Sequence, residues 1–177
     1  MSEWTTRQIW AQLETGEKED ACLAFWQGVD AVSREAQPRV LRDLASALRF
    51  REVFVKRLPP VERARHLRRL MDGPSMRHYI DEVLRSWLLV RKNSILVCFV
   101  EALGIAHTGG LIDDNAKQPE AAALRKGICV LRDRFPARDV AIYLGVMIAA
   151  GGDFWTQLKA AVDAEWPDLA AVLTKPA

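Results

Sequence analysis

The sequence predicts an all-α fold, and three observations carry that prediction. Apolar residues recur three and four apart in nearly every segment between breakers, as on the buried stripe of a helix. Two stretches, Ile95 to Val100 and Val140 to Ile148, are apolar nearly all round, the pattern of a helix enclosed by others. No run reads as a convincing strand.

The elements follow in chain order. Thr5-Thr6 opens a first helix with Ile9, Trp10 and Leu13 as its stripe, up to Gly16. Glu17 to Gln27 forms a second, carrying Cys22, Leu23, Phe25 and Trp26, and Trp10 is expected to meet Trp26 across this hairpin. Pro38 suits the first turn of a third helix, with Val40, Leu41, Leu44 and Leu48 as its stripe to about Phe50. A short helix, Glu52 to Leu58, stops before Pro59-Pro60, and Phe50 and Phe54, four apart, are expected to point into the core together. Val61 to Met71 buries Val61, Ala64, Leu67, Leu70 and Met71 and turns Arg65 and Arg69 to the other side.

Asp72-Gly73-Pro74 is a strong stop. The stretch from Tyr79 to Leu111 then reads as the centre of the fold. Ile80, Val83, Leu84, Trp87 and Leu88 form one stripe, Asn93-Ser94 caps the next helix, and Gly104 with Ile105 closes it as a Schellman cap. A loop from Ala106 to about Gln118 follows. Pro119 opens the helix Glu120 to Phe135, with Ala123, Leu124, Ile128 and Leu131 inward, and Pro136 breaks it. Ala137 to Ala149 is the second all-apolar helix. Asp153 is expected to cap Phe154 to Val162, and a tail helix ends near Leu173 after Glu165-Trp166-Pro167. This gives nine or ten helices in a single domain, residues 1–177, arranged as antiparallel pairs in a globular array or a short HEAT- or TPR-like stack.

Composition sets the class. At 177 residues, half of them hydrophobic, the chain can build one sizeable core. Its longest apolar stretch in the central element, between Lys92 and Glu101, is far below the ~18 residues of a membrane span, and Met1-Ser2-Glu3-Trp4 lacks a signal-peptide layout. Cys22, Cys98 and Cys129 read as reduced, buried thiols of a cytoplasmic protein. The net charge of +2 is unevenly spread, and Lys and Arg outnumber Asp and Glu over residues 39–92. That basic middle faces solvent or the acidic ends of the chain, or else an acidic partner such as nucleic acid.

Catalytic motifs are missing. His66, His78 and His107 form no HExxH and no zinc spacing with cysteine, and there is no GxGxxG, P-loop or GxSxG. One polar cluster stands out, His107-Thr108-Gly109-Gly110-Leu111-Ile112-Asp113-Asp114, an imidazole and two carboxylates on a glycine-bearing loop. Its plain interpretation is turn geometry and capping, because chemistry would need a second imidazole or a nucleophile at a working distance. A second cluster interleaves basic and aromatic groups from Arg49 to Pro60, including Lys56 and Arg57, and continues with Arg63, Arg65, His66, Arg68 and Arg69.

The run Leu48-Arg49-Phe50-Arg51, then Phe54-Val55-Lys56-Arg57-Leu58-Pro59, Arg65-His66-Leu67, and later Phe99, Ala102-Leu103-Gly104-Ile105, His107 and Gly110-Leu111-Ile112, resembles a group of small bacterial all-helical proteins of unassigned function. The resemblance spans roughly residues 45–115 and implies a bacterial, cytosolic, single-domain protein. It carries no activity, cofactor or site.

The functional expectation is a non-enzymatic helical protein that works by contact with another macromolecule, an unknown protein partner in the first place, or with itself. Nucleic-acid binding through residues 39–92 is the second expectation, and an enzyme using the His107 loop with Asp113 or Asp114 the third. No cofactor, no metal and no membrane are expected.

Overall fold

Residues 5–113, 115–150 and 152–174 are described by the computed structural model. They are all-α, with eleven α-helices where nine or ten were expected: α1 Thr6–Gln12, α2 Thr15–Gln27, α3 Ala31–Leu48, α4 Glu52–Arg57, α5 Pro60–Asp72, α6 Ile80–Arg91, α7 Asn93–Ala102, α8 Ala121–Arg134, α9 Ala137–Ala150, α10 Leu158–Glu165 and α11 Leu169–Thr174. Two 3-10 turns, Arg77–Tyr79 and Gly152–Trp155, precede α6 and α10. The loop after α7 holds a small antiparallel hairpin, β1 His107–Thr108 and β2 Leu111–Ile112. Strands this short leave no alternation to detect in a sequence.

The chain forms two compact units, one of residues 13–91 and one of the residues up to Gln12 together with those from Lys92 on. The stretch expected to be a single centre therefore divides, α6 serving one core and α7 the other. The expected α1–α2 hairpin, with Trp10 against Trp26, is not the pairing either unit is built on. α1 packs on α9 and α11, and α2 on α5 and α6.

In the unit of residues 13–91, α2 is inserted between α5 and α6. Ala21, Cys22, Ala24 and Phe25 are fully buried, and the small alanines let neighbours approach on two sides. Asp20 accepts from Trp87 Nε1 at 2.8 Å and pairs with Arg91 at 3.0 Å, tying α6 to α2. Arg68 of α5 reaches Glu19 and Asp72 at 3.4 and 3.0 Å. α3 begins seven residues before Pro38, which lies inside it rather than in its first turn. Proline's fixed φ fits a helix but its missing N–H forgoes one helical hydrogen bond, and side-chain bonds secure the turns that precede it. Asp30 caps the helix by accepting from Ser33 N at 2.8 Å, and Gln37 Nε2 donates to the carbonyls of Phe25 and Gly28. Ser33 Oγ, buried, lies 2.6 Å from both Asp30 Oδ2 and Ser86 Oγ of α6.

In the other unit, α9 is the helix enclosed on all sides. Every residue from Val140 to Val146 is buried. Phe99 of α7 meets Tyr143 edge-on at 5.6 Å and Trp155 at 5.7 Å. Gly127 of α8 permits that approach, since a Cβ there would stand 2.8 Å from the Phe99 ring. The Schellman cap expected at Gly104 is present: Ile105 N donates to Val100 O, Gly104 N to Glu101 O, and Gly104 has φ +68°. Two expected caps are corrected. Lys92, not Asn93 or Ser94, holds the N-cap position of α7, and Asn93 instead donates to Gly109 O at 2.8 Å. Asp153 lies within the 3-10 turn, and Gln157 precedes α10.

Of the cysteines, all free, Cys22 and Cys98 are buried as expected but Cys129 is exposed, on the outer side of α8. Burial pushes the Cys22 thiol well up, which keeps it neutral and unreactive.

Candidate docking surface

α3 should stop at a glycine, and it stops at an arginine. Arg49 takes the left-handed conformation, φ 56° and ψ 36°, and is the one non-glycine residue with positive φ among the described residues. Its N–H donates to Ser46 O at 3.1 Å, and the N–H of Phe50 donates to Ala45 O at 2.9 Å. This is the Schellman pattern, which prefers glycine because a Cβ crowds its own carbonyl there. Arg51 is extended, φ −72° and ψ 140°, and α4 starts afresh at Glu52.

That break resets the helical phase and corrects the expectation for Phe50 and Phe54. Both are half in water, 48% and 50% exposed, and their rings meet edge to face at 5.0 Å. Val53 is 56% exposed. Within the six residues of α4, only Val55 is buried. Val53, Phe54 and Val55 are consecutive, so they fan over roughly 200° of a helix and cannot share one buried face. Val61, expected inward, is also exposed, because it lies in the first turn of α5 just after Pro60. Leaving large apolar groups in water forfeits burial worth about 1.5–3 kcal/mol for each fully hidden side chain.

Cations surround this apolar corner. Arg49, Arg51, Lys56 and Arg57 are all exposed. None of them enters an ion pair among the described residues. Lys56 and Arg57 also sit in the last turn of α4, where the helix dipole favours positive charge. Further along, Arg65 and Arg69 lie four apart on α5 and are exposed together. By contrast, Arg63 is drawn in, its guanidinium 4.9 Å from the centre of the Trp26 ring, and burial lowers its pKa.

The sequence signals for the corner were the consecutive Val53-Phe54-Val55 in a helix closed off by Pro59-Pro60, and Arg51 set between two phenylalanines. Reading Phe50 and Phe54, four apart, as pointing into the core together hid them.

The His107 loop is arranged differently. His107 pairs with Ile112 across the hairpin, and its Nδ1 accepts from Gly110 N at 3.0 Å. Gly109 and Gly110, with φ +60° and +93°, make the turn, and a Cβ on Gly110 would overlap Leu96. The imidazole is thus engaged in shaping its own hairpin. Asp113 is exposed, its N–H donating to Ala106 O at 3.2 Å, and Asp114 lies outside the described residues. Among the described residues, no group of three His, Cys, Asp or Glu side chains is placed to hold a metal ion. No helix among them is long and apolar enough to cross a membrane.

No family model, no curated protein and no solved structure matches the chain.

Proposed function

We propose that the protein is a non-enzymatic helical protein that acts by contact with another macromolecule, and that it docks through the corner formed by the end of α3 and α4. One observation carries this reading: a left-handed arginine and two half-exposed phenylalanines stand together amid cations free of ion pairs. Backbone strain and uncovered aromatic area both cost stability, and such costs concentrate where a partner is met. In this reading the setting is the cytoplasm, where free thiols stay reduced. The test is purification from the native host of the wild type beside Phe54→Ser. A stoichiometric partner held by the wild type and lost from a variant that still unfolds cooperatively is the expected result. A variant that keeps the partner in full would remove the corner from the function.

Nucleic-acid binding through residues 39–92 is a second reading, supported by the joint exposure of Arg65 and Arg69. The double reversal Arg65→Glu/Arg69→Glu discriminates. As a solvent face, the pair contributes about 0–1 kcal/mol per charge to stability, and any partner is retained. As a phosphate-contacting face, the reversal abolishes oligonucleotide binding that already falls steeply with salt, while the fold stays cooperative.

A further inference from the structure

We propose that the corner at residues 49–57 takes an acidic segment of a partner protein bearing a large apolar side chain. Its carboxylates meet Arg49, Arg51, Lys56 and Arg57, and its apolar group packs on Phe50, Val53 and Phe54. The proposal rests on the docking reading above and adds the chemistry of the occupant. Charge complementarity is the first argument. The four cations face one acidic residue of the segment, Glu52, and all are exposed. Three of them are arginines, whose planar fork suits a carboxylate better than an ammonium does.

The make-up of the apolar part is the second argument, and it separates a protein from a nucleic-acid strand. Bases stack on open, flat ring faces. Here the rings are inclined at 64° and share no common flat platform, and Val53 offers no ring face at all. A large side chain from a partner needs only apolar area in a site that can be sealed from water. The occupant is also unlike this chain's own acidic stretch. Glu14 and Glu17 form a capping box, Glu19 pairs with Arg68, and Asp20 holds Trp87 and Arg91, so a second copy would have to give up its own contacts.

The experiment is selection of random linear peptides displayed on phage against the full chain, followed by affinity measurements with the selected peptides and with oligothymidylate. The expected peptides combine Asp or Glu with Leu, Phe or Trp. Their affinity falls about tenfold or more on Phe54→Ser and on Arg57→Glu, while both variants keep the far-ultraviolet circular dichroism of the wild type and a cooperative unfolding transition. Selected peptides that lack acidic residues but still lose affinity on Phe54→Ser overturn the acidic occupant and leave the docking reading standing. Peptides unaffected by either variant, or no enrichment at all, overturn the proposal. Oligothymidylate binding that both variants abolish, with no peptide selected at the corner, replaces the acidic segment with a nucleic-acid strand.

Discussion

The helices α3 and α7 end in the same hydrogen-bonded geometry, with Arg49 standing where α7 has Gly104 and Phe50 where α7 has Ile105. At α7 each position is filled for stability. Glycine takes the left-handed conformation without a side-chain clash, and Ile105 is buried. At α3 each position is filled against it. Arginine carries the left-handed strain, on the order of 1–2 kcal/mol, and Phe50 leaves half its surface in water. One backbone motif is thus closed with residues that suit it in one region and with residues that strain it in the other. This local conflict with the rules of helix termination is what supports the docking corner proposed above.

The comparison can be broken most forcefully on the α7 side. Phe99→Ala removes a fully buried ring held between Tyr143 and Trp155, and should cost roughly 3–5 kcal/mol in chemical denaturation. A loss below about 1 kcal/mol would mean that α7 does not carry a core. Next in size is Gly104→Ala. It forces a Cβ into the left-handed region with open space around it, so the penalty is conformational alone and should come to about 1–2 kcal/mol. Arg49→Gly sharpens the contrast, because it should move stability the other way, by up to about 1 kcal/mol; glycine's greater freedom in the unfolded chain offsets part of the relief. A destabilised Arg49→Gly would show that the arginine side chain supports the fold. Smallest is Phe54→Ser, expected to cost about 1 kcal/mol, since a half-exposed ring gives up only half of its burial together with one edge-to-face contact.

Much of the α7 side was legible in the sequence. Gly104 announced its own conformation, Ile105 its inward turn, and the apolar run around Phe99 a buried helix. The α3 side was not, for a physical reason. A left-handed arginine has no sequence signature, so the break between the two helices was visible but not the turn that leaves Phe50 and Phe54 outside. Pro38 misled in a similar way, because a proline inside a helix looks like a beginning unless the Asp30 cap upstream is given its weight. Partner choice was hidden too. Whether Trp10 of α1 packs with the next helix or with α9 and α11 is decided by tertiary fit, which spacing along one helix does not encode. The polar cluster at His107 was visible as residues, but its hairpin, in which Nδ1 serves Gly110, depends on two positive φ angles that only the folded backbone reveals.

The central claim is that Phe50 and Phe54 are held in water by the isolated chain and covered by a partner. Hydroxyl-radical footprinting read residue by residue tests it most directly. The account predicts that in the isolated protein Phe50 and Phe54 are oxidised readily while Phe99 is spared, and that adding a partner protects the first two. Phe50 and Phe54 as resistant as Phe99 in the isolated chain would contradict it.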